Sequence, residues 1–252
     1  MRILSITPSR IGLFGGGTDV EPYCSLYGGL VINMAINIYY RFEMFSDDDL
    51  HDSTAKNQVP YGAKQDFVYT ILDQWKLDSM HHTYFKSEYD GLIESGLGAS
   101  ATAAVGIVAA INKRLTINLS KQEIAEKAWD IEVNQMGLYG GRQDQYAATF
   151  GGFNAITFGK QIEVTQFDRK FIDKLIPSFC LFYIGENRQS ATIQENFRRI
   201  SYDQIEALNQ LKDIAFRTVK PIGEGEIDKI GALLNEAWEF KKLSNKGVSN
   251  PK

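Results

Sequence analysis

At 252 residues the chain is long enough for one large domain or two modest ones. A folded chain of that length buries about 70% of its unfolded surface, so its core needs no disulfide or metal staple. With 44% hydrophobic and 23% charged residues it is not a disordered chain, and its net charge of −4 and pI near 5.5 argue against a nucleic-acid surface.

The N-terminus, Met1-Arg-Ile-Leu-Ser-Ile-Thr-Pro, lacks the apolar segment of a signal peptide, and nowhere do about 18 apolar residues run together. Cys24 and Cys180 stand far apart, and three histidines with no Cys-x-x-Cys give no zinc ligand set. A cytoplasmic location with free thiols is the expectation.

Residues 1–45 read as strands and turns. Arg10-Ile-Gly-Leu-Phe-Gly-Gly-Gly-Thr-Asp19 places three glycines before a polar pair. Three in a row are costly in backbone entropy, which points to a ligand approaching the backbone of Gly15, Gly16 and Gly17, with a plain turn as the competing account. Asp19 either accepts two sugar hydroxyls or caps the following turn. Leu30–Tyr40 and Arg41–Phe45 read as two β-rich segments, Asp47–Asp52 with His51 as a solvated turn, and Ala63–Leu77 as a core-facing helix carrying Phe67, Ile71, Leu72 and Trp75. His81 and His82 open a strand and carry no assigned chemistry.

Glu94-Ser-Gly96-Leu-Gly98-Ala-Ser100-Ala-Thr-Ala-Ala then runs into an uncharged apolar stretch ending at Ile111, a tight loop feeding a buried helix. Glycines let backbone N–H groups face open space, and a helix start adds unpaired donors and a positive dipole end, so phosphate is a natural occupant. A plain turn into a core helix remains the competing account. The segment fails the P-loop pattern, having no lysine. It matches the dinucleotide pattern G-x-G-x-x-G/A weakly, because the residues before it are mostly polar rather than a buried apolar strand.

Ser120-Lys-Gln-Glu123 has capping-box spacing and starts a helix carrying Ile124, Ala128, Ile131 and Met136, stopped by Gly137. Glu132 on that helix reads as solvent-facing. Gly140-Gly-Arg142-Gln-Asp144 offers a second glycine pair beside an arginine and a carboxylate, and Asp144 is either a general base or a cap. Gly151–Phe158 and Glu163–Phe167 read as strands, 178–184 as a buried strand, Ser190–Val219 and Glu226–Lys242 as helices joined by a Pro221–Gly225 loop.

Pro8-Ser-Arg10-Ile-Gly-Leu-Phe-Gly-Gly-Gly-Thr-Asp19, Ser95-Gly-Leu-Gly-Ala-Ser-Ala101 and Gly141-Arg-Gln-Asp-Gln-Tyr146 together resemble three motifs of the GHMP small-molecule kinases. Tyr183-Ile-Gly-Glu-Asn-Arg188-Gln-Ser-Ala191 and Gly231–Lys242 are most similar to the members that phosphorylate the anomeric hydroxyl of D-glycero-D-manno-heptose 7-phosphate. The resemblance implies an α+β chain with an N-terminal domain like the second domain of ribosomal protein S5 over 1–170. It implies a ferredoxin-like C-terminal domain over 171–252, cut short before a third glycine-rich motif. It implies ATP and Mg²⁺, with Gly96, Leu97, Gly98, Ala99, Ser100 and Ala101 around the nucleotide phosphates and Ser100 and Glu132 on the metal. Ala99 stands where the family usually has a first serine. Asp144 and Arg10 are the implied catalytic pair. Gly16, Gly17, Thr18 and Asp19 would hold the sugar, and Arg142 and Arg188 a substrate phosphate. A fucose or galactose kinase and a non-catalytic nucleotide-binding fragment are the alternatives. The expected partners are a small sugar phosphate and ATP, with no nucleic acid and no membrane, and a homodimer is left open.

Overall fold

The computed structural model describes residues 2–46, 68, 70–72, 75, 83–92, 95–183, 200–245 and 248–249. It is an α+β fold, as expected. Strands β1 (Ile3–Phe14), β2 (Gly29–Ser46), β3 (Thr83–Tyr89), β4 (Phe153–Phe158) and β5 (Glu163–Gln166) form one sheet in the order β1-β2-β4-β5, with β3 also on β2. The helices are α1 (Tyr23–Tyr27), α2 (Ala99–Leu115), α3 (Lys121–Asp130), α4 (Gln143–Phe150), α5 (Arg169–Leu175), α6 (Tyr202–Glu224) and α7 (Ile227–Ser244). A short π-helix over Ile131–Gln135 continues α3.

The chain folds into two compact units, each drawn from separate stretches of sequence. The first comprises Met1–Ser9, Ile36–Leu138 and Asp144–Phe150. Its core is α2, whose alanines, Val105, Ile107, Val108 and Ile111 are buried together with Ile3, Phe42, Met44 and Ile131. Small residues let α2 lie close to its neighbours. A Cβ on Gly106 would come 2.8 Å from the Thr7 hydroxyl, which itself lies 3.0 Å from the Thr102 carbonyl. The far half of β2 pairs antiparallel with β3, from Tyr40 opposite Tyr89 to Ser46 opposite Thr83. The expected capping box is present: Ser120 accepts from the Glu123 N–H, and the Glu123 carboxylate accepts from the Ser120 N–H at 2.8 Å.

The second unit comprises Arg10–Ala35, Tyr139–Gln143 and Gly151–Lys252. Here the near half of β2 pairs with β4, from Gly29 opposite Phe158 to Met34 opposite Phe153, and β4 pairs with β5. Phe14, Leu30, Ile32 and Phe153 are buried with Leu208, Leu211, Ile214 and Ala215 of α6 and Ile230 of α7.

Four expectations are corrected. Leu30–Tyr40 and Arg41–Phe45 are one strand, since no glycine, proline or polar turn interrupts them and both halves find pairing partners. Ser178–Tyr183 is not a buried strand: Leu181 is 63% and Phe182 82% exposed, and among the described residues no strand pairs with the segment. An apolar run without a ladder partner has no reason to stay extended and buried. Of the helix expected over Ser190–Val219, residues 190–199 lie outside the described residues, and the described helix starts only at Tyr202, because Ser201 is extended and caps it, with a capping box to Gln204. The Pro221–Gly225 loop is absent; α6 runs through Pro221 and ends at Gly225, whose φ of 72° suits a residue without a Cβ.

Residues 68 and 70–72 of the helix expected over Ala63–Leu77 are helical, with Val68 and Ile71 fully buried. Phe67, the Asp47–Asp52 turn with His51, His81, His82 and Arg188 lie outside the described residues.

Candidate active site

The glycine loop is shaped for an anion. Gly98 is the residue before α2 and is left-handed, with φ of 76°, and Gly96 has φ of 79° with open space where a Cβ would be. No side chain caps α2 at Gly98, so the first-turn N–H groups around Ala99, Ser100 and Ala101 are turned to the loop side. Thr102 fastens the turn from behind, its N–H and its hydroxyl both donating to the Gly98 carbonyl, at 2.9 and 2.8 Å. Leu97 and Ala99 are half-buried, Ser100 exposed and Ala101 buried.

Three side chains gather at this loop within the first unit. Asp144, second residue of α4, lies so close that a Cβ on Gly98 would be 3.0 Å from Asp144 Oδ2. Glu132 is 4% exposed rather than solvent-facing, which corrects the sequence reading. The wider π-turn, in which the Met136 N–H donates to the Ile131 carbonyl at 3.0 Å, sets the helix face that turns Glu132 inward. There the Glu132 carboxylate accepts from Gln145 Nε2 at 2.7 Å and from the Ser100 hydroxyl. Burial pushes the Glu132 carboxyl up to about 7, with the charge of Asp144 adding to the rise and the hydrogen bonds from Gln145 and Ser100 opposing it.

As a metal site this donor set fits a hard cation. Ser100 and Glu132 offer oxygen ligands only, and Mg²⁺ takes one or two protein oxygens plus phosphates and waters. Among the described residues no cluster of three or more His, Cys, Asp or Glu forms a protein-only cage.

In the second unit the triple glycine closes on the protein itself. A Cβ on Gly15 would fall 1.8 Å from the Leu30 carbonyl, and Gly17 has φ of 104°. Gly16 keeps room, with Gln143 Nε2 and Lys241 Nζ each 3.7 Å from where its Cβ would stand. Thr18 is buried, its hydroxyl donating to the Gly15 carbonyl at 2.8 Å. Asp19 is fully buried; Oδ1 accepts from the Gly17 N–H and Oδ2 from the Gln143 N–H, at 3.1 and 3.0 Å. Gly141 is needed here, because its Cβ would sit 2.0 Å from Asp19 Oδ2. Asn33 Nδ2 reaches the Gln143 carbonyl at 3.4 Å, so the start of α4 is held at the N–H and the C=O of Gln143.

Arg10 lies half-buried on β1 in the second unit. Arg142 is paired with Glu21 Oε1 at 3.1 Å. Burial alone would raise the Glu21 carboxyl, but hydrogen bonds from Ser25, Cys24 and Arg142 outweigh it and the carboxyl is lowered. Burial pushes the Cys24 thiol up to about 12, so it is no thiolate nucleophile.

Sequence reasoning passed over Gln145, Gln143 and Lys241. Lys241 Nζ donates to the Gly16 carbonyl at 2.6 Å, and burial lowers its amine while the charge of Asp19 opposes the shift. Gln145 stood beside Asp144 and Lys241 in a run of lysines on α7, and neither position carries a local signal of what it touches.

Residues 67–152, which hold the Gly96–Ala101 loop, Glu132 and Asp144, match the GHMP kinases N terminal domain. The chain is 30% identical to a D-glycero-alpha-D-manno-heptose 7-phosphate kinase of Campylobacter jejuni subsp. jejuni, over 97% of this chain and 78% of the relative. It is 22% identical to a galactokinase of Thermosipho africanus over 92% of this chain and 75% of the relative. The crystal structure of a D-glycero-D-manno-heptose 1-phosphate kinase from Bacteroides thetaiotaomicron matches with a TM-score of 0.73 at 26% identity, covering 96% of this chain and 79% of that one.

Proposed function

The chain belongs to the GHMP kinase family, and from that premise we propose that it transfers the γ-phosphoryl group of ATP to the anomeric hydroxyl of D-glycero-D-manno-heptose 7-phosphate. The observation that carries this reading is the Asp144 carboxylate lying against Gly98 of the loop, in one cluster with Glu132 and Ser100. Phosphoryl transfer asks a protein for positioning and charge neutralisation rather than covalent chemistry, and a carboxylate, a phosphate loop and two metal-ligand oxygens meet that need.

In the proposed reaction the sugar oxygen attacks the γ-phosphorus, the bond to the bridging oxygen breaks, ADP leaves, and Asp144 takes the hydroxyl proton. The backbone of Gly96–Ala101 holds the nucleotide phosphates. Ser100 and Glu132 are the proposed ligands of the Mg²⁺ that accompanies ATP and neutralises its phosphate charge. Arg10 is proposed to stabilise charge on the transferred group, and Gly16, Gly17 and Asp19 to meet the sugar, with the buried Thr18 shaping their turn through its bond to the Gly15 carbonyl. Both carboxylate oxygens of Asp19 accept backbone N–H groups, so a sugar hydroxyl would use their remaining lone pairs. Arg142 and Arg188 take the substrate phosphate, Arg142 sharing itself with Glu21. The N-terminal domain is proposed over 1–170 and the C-terminal one over 171–252. Among the described residues no helix is long and apolar enough to cross a membrane. A cytoplasmic reaction is proposed because ATP is the donor.

The test is mass spectrometry of products after incubation with ATP, Mg²⁺ and heptose 7-phosphate, with galactose and fucose in parallel. A heptose bisphosphate is expected. Product from galactose or fucose alone would move the substrate to those sugars, and hydrolysis of ATP without any sugar phosphate would overturn the reading.

A further inference from the structure

We propose that Gln145 is a positioning residue for the divalent-cation site, fixing Glu132 with its amide N–H and offering its amide oxygen to a water of the hydrated cation. This rests on the reading of Ser100 and Glu132 as metal ligands. Gln145 is 4% exposed and touches Glu132, also 4% exposed, through Nε2 to Oε2 at 2.7 Å. Nε2 is the donor in this pair, and a cation-bound carboxylate, being ionised, only accepts, so the amide keeps its NH₂ on Glu132 when the cation is held. The amide oxygen is thereby turned elsewhere, and among the described residues Gln145 Oε1 is buried with no hydrogen-bond partner. A buried carbonyl without a donor is destabilising and calls for an explanation, one of which is a missing ligand.

The donor that suits the place is a cation-bound water. Mg²⁺ keeps several of its waters, and each carries two polarised protons that seek acceptors. Asp144 and Ser100 take part in the same cluster and cannot serve Gln145 Oε1 as it stands. The Glu132 carboxylate, pinned at one oxygen, keeps a fixed plane and does not have to be ordered when the cation arrives. Outer partners of this kind govern metal affinity rather than the chemical step.

The test compares the affinity of ADP in millimolar Mg²⁺ with its affinity in EDTA, by calorimetry, for the wild type and Gln145→Met. Methionine keeps the length of the side chain and removes both the donor and the partnerless acceptor; melting in EDTA is compared at pH 5, where Glu132 is protonated and the lost donor costs least, and should there lie close to wild type. Gln145→Leu serves if the first variant does not express. The Mg²⁺ enhancement of ADP binding is expected to fall roughly 10- to 100-fold while ADP affinity in EDTA stays within about two-fold. The KM for Mg²⁺ should rise by the same factor, with kcat at saturating Mg²⁺ little changed. An unchanged enhancement in Gln145→Met, with Glu132→Gln losing it, would overturn the role of Gln145 alone. Enhancement retained in Glu132→Gln would remove the metal reading and this proposal together, and equal loss in EDTA would reduce Gln145 to a structural residue.

Discussion

Replacing Glu132 by Gln should make the protein more stable at pH 8 while abolishing the proposed metal site. The carboxyl of Glu132 is raised from 4.5 to about 7 by burial, so between those pH values the folded protein holds a proton that the unfolded chain has released. Stability therefore falls as pH rises through this window, and above it the full cost of a buried charge is present. At about 1.4 kcal/mol per pH unit the cost is a little over about 3 kcal/mol at pH 8 and stays under about 1 kcal/mol at pH 5. For a chain of this size that corresponds to roughly 6 to 12 °C in melting temperature at pH 8. Glutamine keeps the shape, stays neutral, and can offer an N–H to the partnerless Gln145 Oε1. Thermal melting in EDTA at both pH values is the assay: Glu132→Gln should melt well above wild type at pH 8 and within a few degrees of it at pH 5. Adding Mg²⁺ and ATP should raise the wild type by about 3 kcal/mol at a hundredfold excess over Kd and leave the variant nearly unmoved. A difference that does not grow with pH, or a variant less stable at pH 8, would refute the buried-charge argument.

Two further substitutions separate local geometry from chemistry. Gly98→Ala forces a Cβ into a left-handed position 3.0 Å from Asp144 Oδ2, so it should cost about 1 to 2 kcal/mol and weaken ATP binding at least tenfold in a fluorescence titration; unaltered nucleotide affinity would mean the loop does not hold the phosphates. Ser120→Ala removes the cap of α3 and should lower stability by about 1 kcal/mol with kcat unchanged, checked by melting and a steady-state assay.

How much could be read beforehand depended on how local each determinant is. The Ser120–Glu123 box and the Gly96–Gly98 loop into α2 are set within a few residues, and both were legible. Ser201 and Gln204 carry the same box three residues apart, a signal the long helical pattern from Ser190 concealed. Glu132 was misread because its burial comes from a π-turn and from Gln145 on another helix, neither visible in a 3.6-residue period. Gly15 is required by the Leu30 carbonyl, a contact across a strand, although sequence pointed only to a ligand. Ser178–Tyr183 looked like a strand from apolarity alone, and apolarity does not supply a neighbour to pair with.

The account is tested most directly by the single-turnover rate of phosphoryl transfer in Asp144→Asn, with ATP and heptose 7-phosphate both saturating. Loss of general-base help predicts a fall of about 10² to 10⁴ in rate, with ATP affinity within a few-fold of wild type and the Gly98 turn intact. A variant that transfers phosphate at the wild-type rate would contradict the central assignment of the base.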